Sequence, residues 1–196
     1  MKQEQLYHQI IEQKMELEQL LSEYWHQYSN AGTWYFWINL LIFIFPLIVL
    51  YFAIDKKRLF EVCFYGYTVH VVWGLFNSVL SEHNYFMHLH HLATFLPDGF
   101  NMNSVVMPVA FMLLYQYSTN HGKNVYLWAI FGSIFFAFIY APIEMKVGML
   151  RLEGGMTVFH IFLIDLFVTF VAYWLTLLFH RVKSRYTGKQ MDEQPK

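Results

Sequence analysis

The sequence predicts an all-α integral membrane bundle of five transmembrane helices preceded by an N-terminal amphipathic helix. Three observations predict it. Of 196 residues, 57% are hydrophobic and only 14% charged, whereas an ordinary soluble domain is about 25% charged. Apolar runs near the roughly 20 residues that a bilayer-spanning helix requires recur along the chain. Between the first two of these runs stand Asp55, Lys56, Lys57 and Arg58, and cations packed this closely mark a cytoplasmic connection. Residues 1–30 therefore read as an N-terminal helical segment, 31–182 as the membrane domain and 183–196 as a polar cytoplasmic tail.

Residues 3–28 contain no glycine or proline and carry Leu6, Ile10, Leu17, Leu20 and Tyr24 at mixed three- and four-residue steps, the stripe of an amphipathic helix. Glu12, Glu16 and several glutamines supply its polar face. Such a helix can associate with a copy of itself, bind a protein partner, lie at the interface or dock on its own membrane domain. A solvated juxtamembrane helix is the plain alternative, because fewer than four heptads are present. Ser29 to Gly32 break it.

The first span, 33–54, opens on Trp34, Tyr35, Phe36 and Trp37, rings that settle at headgroup level. Pro46 is expected to bend it without ending it. The second, 59–80, is the most polar, with Glu61, Tyr65, His70, Trp73 and Asn77. Residues 82–100 hold His83, His88, His90 and His91, close in the turn Pro97-Asp98-Gly99, and read as a short interfacial or re-entrant segment. The third span, 103–118, has an apolar part that is short for a bilayer of roughly 30 Å. A fourth, 125–143, ends at Pro142 and Glu144; a fifth, 157–179, carries His160 and Asp165 and runs into Arg181, Lys183 and Arg185.

Counting cations orients these spans. Alternation from 55–58 collects nine of the thirteen Lys and Arg on one side and leaves Lys2, Lys14, Lys146 and Arg151 on the other. The positive-inside rule then places the chain in the cell membrane as a multi-pass protein with its N-terminus outside and its C-terminus cytoplasmic. The polar, acidic start does not read as a secretory signal peptide. Cys63 alone gives neither an intramolecular disulfide nor a cysteine-based zinc site, and it is far from either end for a lipid anchor. A net charge of -1 with no basic stripe gives no sign of nucleic-acid binding.

The strings DKKRLFEVCFYG after the first span, PVAFMLLYQYS in the third and PIEMKVGMLRLE closing the fourth are together similar to a family of small, uncharacterised multi-pass membrane proteins from spore-forming Gram-positive bacteria. The resemblance covers roughly Trp34 to Phe179. It implies architecture and brings no activity, cofactor or catalytic residue.

Ionisable groups inside a span cost several kcal/mol unless they face a partner or water, so Glu61, His70 and Asp165 should face the bundle interior. Snorkelling, or an ion pair with Lys57 or Arg58, would satisfy Glu61. His70, Asn77, Glu144, His160 and Asp165 form a candidate polar column open to the outer face, with interhelical bonding as the bland alternative. His83, His88, His90 and His91 are the candidate metal ligands, since imidazoles suit a divalent transition metal to which Asp98 or Glu144 would add oxygen. No closed zinc-site spacing is met. Walker, nucleophile-elbow and HExxH motifs are absent from the sequence. The reading therefore leans away from an enzyme, toward a partner-binding or assembly component of the membrane. The alternative is a small transporter or enzyme using the outward polar or metal-binding site.

Overall fold

A computed structural model describes residues 2–192, with side chains as far as Ser184; of the expected polar tail, 193–196 lie outside the described residues. Helix α1 (Lys2–Tyr28) buries none of its residues. Helix α2 (Trp34–Ala53) passes through Pro46 without ending, and a 3-10 turn, Lys56–Arg58, leads into α3 (Leu59–Glu82). Then follow α4 (Met107–Asn120), α5 (Val125–Phe135), α6 (Ala141–Lys146) and α7 (Val158–Asp192). Helix α7 does not stop near Phe179 but continues as one rod through the boundary expected at 182.

Among the described residues the fold is all-α apart from one short ribbon, whose first strand lies in the segment expected to be interfacial or re-entrant. Strand β1 (Phe86–His88) pairs antiparallel with β2 (Leu150–Leu152), Phe86 opposite Leu152 and His88 opposite Leu150. Residues 82–100 are therefore tied to the segment after α6 and form no separate re-entrant helix.

Among the described residues, four helices are long and apolar enough to cross a membrane: Trp34–Ala53, Lys56–Glu82, Val125–Lys146 and Val158–Ser184. Helix α4 is outside this set for a physical reason. It packs against α2, α3 and α5, burying Met107, Val109, Phe111, Met112 and Tyr115. A helix shielded by protein can carry Asn103, Gln116 and Ser118 that lipid would not tolerate. Helix α2 shows the opposite pattern: Asn39 is its buried residue, while Phe45, Tyr51 and Phe52 are exposed.

Two π-helical stretches, Met102–Val106 and Phe136–Tyr140, lie just before Pro108 and Pro142. A proline cannot donate and its ring crowds the carbonyl four residues back, here Ser104 and Phe138. The widened turn accommodates that carbonyl without breaking the helix.

The core lies where α3, α4 and α7 meet. Tyr65 stacks on Tyr115 with ring centroids 4.4 Å apart, and Val62, Val69, Val168 and Ala172 are fully buried. At the start of α3, Arg58, one of the partners expected, pairs with Glu61, and Glu61 also accepts from Tyr115 and lies 2.9 Å from His180. This network, with the Asp55 amide on Gln116, closes one end of the bundle.

Gly66 lets α3 and α4 meet: a Cβ there would sit 2.4 Å from Met112 Cγ, whereas one at Gly74 meets nothing within 4 Å. Gly66→Val should destabilise the protein by about 1–3 kcal/mol, and Gly74→Ala should leave it unchanged or stabilise it by up to about 1 kcal/mol. Thermal unfolding in detergent measures both, and equal effects would contradict this packing.

Candidate functional site

At the opposite end of the bundle, the segment between β1 and α4 folds over the helix ends around Asp98. Asn77 and Ser81 lie four residues apart, hence on one face of α3. Asn77 Nδ2 donates to the Asp98 carbonyl at 2.7 Å and Ser81 Oγ to Asp98 Oδ2 at 2.7 Å. The other oxygen, Oδ1, accepts from the His88 amide at 2.9 Å, with His91 Nε2 at 3.3 Å and His88 Nδ1 at 3.4 Å. Gly99 adopts φ +64°, and a Cβ there would press on His88 and Asn103 at 2.9 Å. The turn that delivers Asp98 therefore requires glycine twice over, by conformation and by space.

A second set of contacts joins this segment to α1 and α2. His90 Nδ1 meets Ser29 Oγ at 2.8 Å and its ring stacks on Tyr35 at 3.5 Å. Asn39 Nδ2 donates to the His90 carbonyl at 3.2 Å, Asn101 Nδ2 to Asn39 Oδ1 at 2.8 Å, and Trp25 Nε1 to the His91 carbonyl at 3.0 Å. The foot of α1 is thereby fixed.

Beneath the segment, a cavity of about 20 Å3 is lined by Trp73, His88, Tyr140, Glu144 and Asp165 among apolar neighbours. Asp165 is completely buried, and its Oδ1 accepts from Trp73 Nε1 at 2.7 Å. Among the described residues, Asp165 Oδ2, Tyr140 Oη and both His88 ring nitrogens have no partner within hydrogen-bond geometry. The 3.4 Å approach of His88 to Asp98 is thus an electrostatic contact rather than an aligned bond. A second cavity of about 20 Å3 is lined by Asn39, His90, His91 and Asn101, and His88 and Glu144 border both. Each has room for about one water, which needs some 10–15 Å3 and several polar partners.

Burial opposes charge on His88, but its interaction with Asp98 and the negative charge of Glu144 outweigh burial and raise its pKa. Burial likewise works against the Asp98 carboxylate, yet the contacts from His88, His91 and Ser81 prevail and hold it well below the usual carboxylate range. His90 goes the other way, lowered by burial and then by the neighbouring His91.

The expected polar column is only partly assembled. Glu144 and Asp165 share the inner cavity, but His70 bonds the Asn103 carbonyl at 2.8 Å and Asn77 serves Asp98. His160 is exposed and accepts from the Thr157 amide at 3.1 Å. The four histidines do not gather either. His83 is held on the Val79 carbonyl and stacked with Tyr85, His88 turns inward, and His90 turns to Ser29. Among the described residues, no group of three or more His, Cys, Asp or Glu is placed to hold a metal ion. His88 and His91 share Asp98, whereas His83 and His90 are engaged elsewhere.

Trp73, Tyr140, Ser29, Tyr35 and Asn39 complete the site and were not singled out for it from sequence. Two left a signal. A tryptophan buried in a helix must find an acceptor for its N–H, and Trp73 stands between His70 and Asn77 on the same face; Asn39 interrupts an otherwise apolar run. No family model, curated protein or solved structure matches the chain.

The pKa shifts fix the sign of a pH dependence. His88, raised from 6.5, contributes fully below that value and loses its contribution as pH rises through its folded pKa. Asp98, lowered from 3.8, contributes fully above that value and loses it only in strong acid. His90, lowered from 6.5, has the opposite sign only up to that value, so the unfolding temperature should fall as pH is raised from about 7 to 9. Asp98→Asn should flatten this profile and cost about 3–5 kcal/mol at the acidic end, as breaking a buried pair does. A wild-type profile that is already flat would show that the pair is not charged.

Proposed function

We propose that the protein is a non-enzymatic, partner-binding or assembly component of the cell membrane, with α1 as its binding element. One observation carries this reading. Leu6, Ile10, Leu17 and Leu20 of α1 are 59%, 47%, 55% and 62% exposed, although the foot of the same helix is fixed to the bundle through Trp25 and Ser29. With Gln13 and Tyr24 they fall at 6, 10, 13, 17, 20 and 24, alternating steps of four and three that keep one seam facing a partner helix. The seam makes α1 an amphipathic helix, and its five glutamates against Lys2 and Lys14 make an anionic lipid surface a poor occupant.

Five crossings support this role by placing the two ends of the chain on opposite sides. Helix α4 and its π-helical lead-in, residues 102–120, rise about 28 Å at 1.5 Å per residue, enough for a bilayer core. Lys56, Lys57, Arg58, Lys123, Arg181 and Lys183 then favour an N-terminus outside and a C-terminus in the cytoplasm. This is the architecture that the resemblance to small multi-pass membrane proteins of spore-forming bacteria implies. A cysteine replacing His83 should label with a membrane-impermeant thiol reagent on intact cells, and one replacing Lys123 only after permeabilisation. The reverse pattern would invert the orientation.

A second reading, a small transporter or enzyme, is favoured by Asp165 Oδ2, Tyr140 Oη and the His88 ring meeting at one cavity. A water-sized space suits a proton better than any larger ligand. The proton relay then runs through His88, because His70 does not line the cavity.

Crosslinking separates the two. Ile10→Asp combined with Leu17→Asp should abolish crosslinked partners or self-association through α1, and unchanged crosslinking would remove the assembly reading. In proteoliposomes loaded with a pH-sensitive dye, proton flux lost on Asp165→Asn would instead favour the second.

A further inference from the structure

The end of the bundle opposite Asp98 carries an open groove of about 760 Å3 between α3 and α7. Its wall is aromatic, built by Phe60, Phe64, Tyr67 and Phe179, and Phe60 is 90% exposed. Its rim is cationic, with Lys56, Lys57 and Lys183 beside Arg58 and His180. The last two are directed at Glu61, so Lys56 and Lys57 bring positive charge to the rim beyond that pairing.

These two features select one class of ligand. A soluble anion would use the lysines and leave the aromatic wall in place for nothing; a neutral lipid would use the wall and leave the cations unanswered. A molecule with an anionic head and a long apolar chain uses both. The geometry has the right depth as well. From Phe60 to Tyr67 the wall descends about 10 Å along α3, the reach of the upper part of an acyl chain below its headgroup. Cationic clefts between membrane helices on the cytoplasmic side are suited to anionic headgroups. We propose that this groove is a binding site for one anionic phospholipid, its phosphate held by Lys56 and Lys57 and one acyl chain laid along Phe60, Phe64 and Phe179. The site depends on insertion in a bilayer and is independent of what α1 binds.

The test counts bound lipid by native mass spectrometry on the full chain in neutral detergent, titrated with phosphatidylglycerol or phosphatidylcholine. Phosphatidylglycerol should be retained selectively at one site. Each lysine near an anionic surface is worth roughly five-fold, so Lys56→Ala with Lys57→Ala should weaken retention roughly 25-fold. Lys56→Arg with Lys57→Arg should restore it, and Lys123→Ala with Lys146→Ala should leave it unchanged. Phe64→Ala should weaken it while preserving the preference for the anionic head. Glycerol phosphate, the head without its chains, should compete poorly. Equal retention of the two lipids, no effect of the paired lysine replacements, or glycerol phosphate binding as tightly as the lipid would each overturn the proposal.

Discussion

A carboxylate set against the end of a largely apolar bundle, with most of its side chain withdrawn from water, is stabilised by the donors it gathers, because the cost of withdrawing it alone is several kcal/mol. Asp98 meets that demand by drawing on Ser81 of α3, the His88 amide of β1 and the ring of His91. The consequences spread outward. Fixing His88 fixes β1, and the pairing of β1 with β2 holds the segment that follows α6 and Glu144. Fixing the chain at His91 leaves His90 facing Ser29 and Tyr35, which sets where α1 leaves the bundle. A single side chain thus orients one end of the molecule, including the helix that the proposed function depends on.

The same demand explains the helix that falls outside the four candidate spans. Polar groups within a membrane-sized bundle are tolerated where protein, not lipid, surrounds them. Helix α4 occupies that place, and it carries Asn101 and Asn103 in its approach and Gln116 and Ser118 near its end. Its low hydropathy follows from its neighbours. The two prolines obey the constraint in another form: each freed carbonyl sits in a widened turn, so the helix continues where a strict α-helix would clash.

These differences show what a sequence can reveal. Helix existence, the turn at 55–58 and the pairing of Glu61 with Arg58 were legible because each depends on residues close in the chain. The ribbon was not: its strands are three residues each, too short for an alternating pattern to register, and they pair across more than sixty positions. The candidate site divides in the same way. Histidine and carboxylate types were visible, and two members of the expected column, Asp165 and Glu144, line one cavity. Their partners were not visible, because Trp73 meets Asp165 across 92 positions and Ser29 meets His90 across 61. Order along a helix can be counted; azimuth depends on which helices become neighbours, and the structure turns His70 to Asn103 and His160 to Thr157.

Azimuth also decides what the inner cavity can do. Trp73 occupies one oxygen of Asp165, so the other oxygen faces Tyr140, Glu144 and His88 across a space of about 20 Å3. One water bonds with two to four polar partners, and these side chains supply that number from α7, α6 with its π-helical approach, and β1. Such a water would join three elements that do not otherwise exchange side-chain bonds. His88 also borders the second cavity, which His90 and His91 line. The imidazole therefore stands between the buried carboxyl groups and Asp98, the group around which this end is organised. A change of charge on His88 would therefore act on Asp98 and on the buried carboxyl groups together.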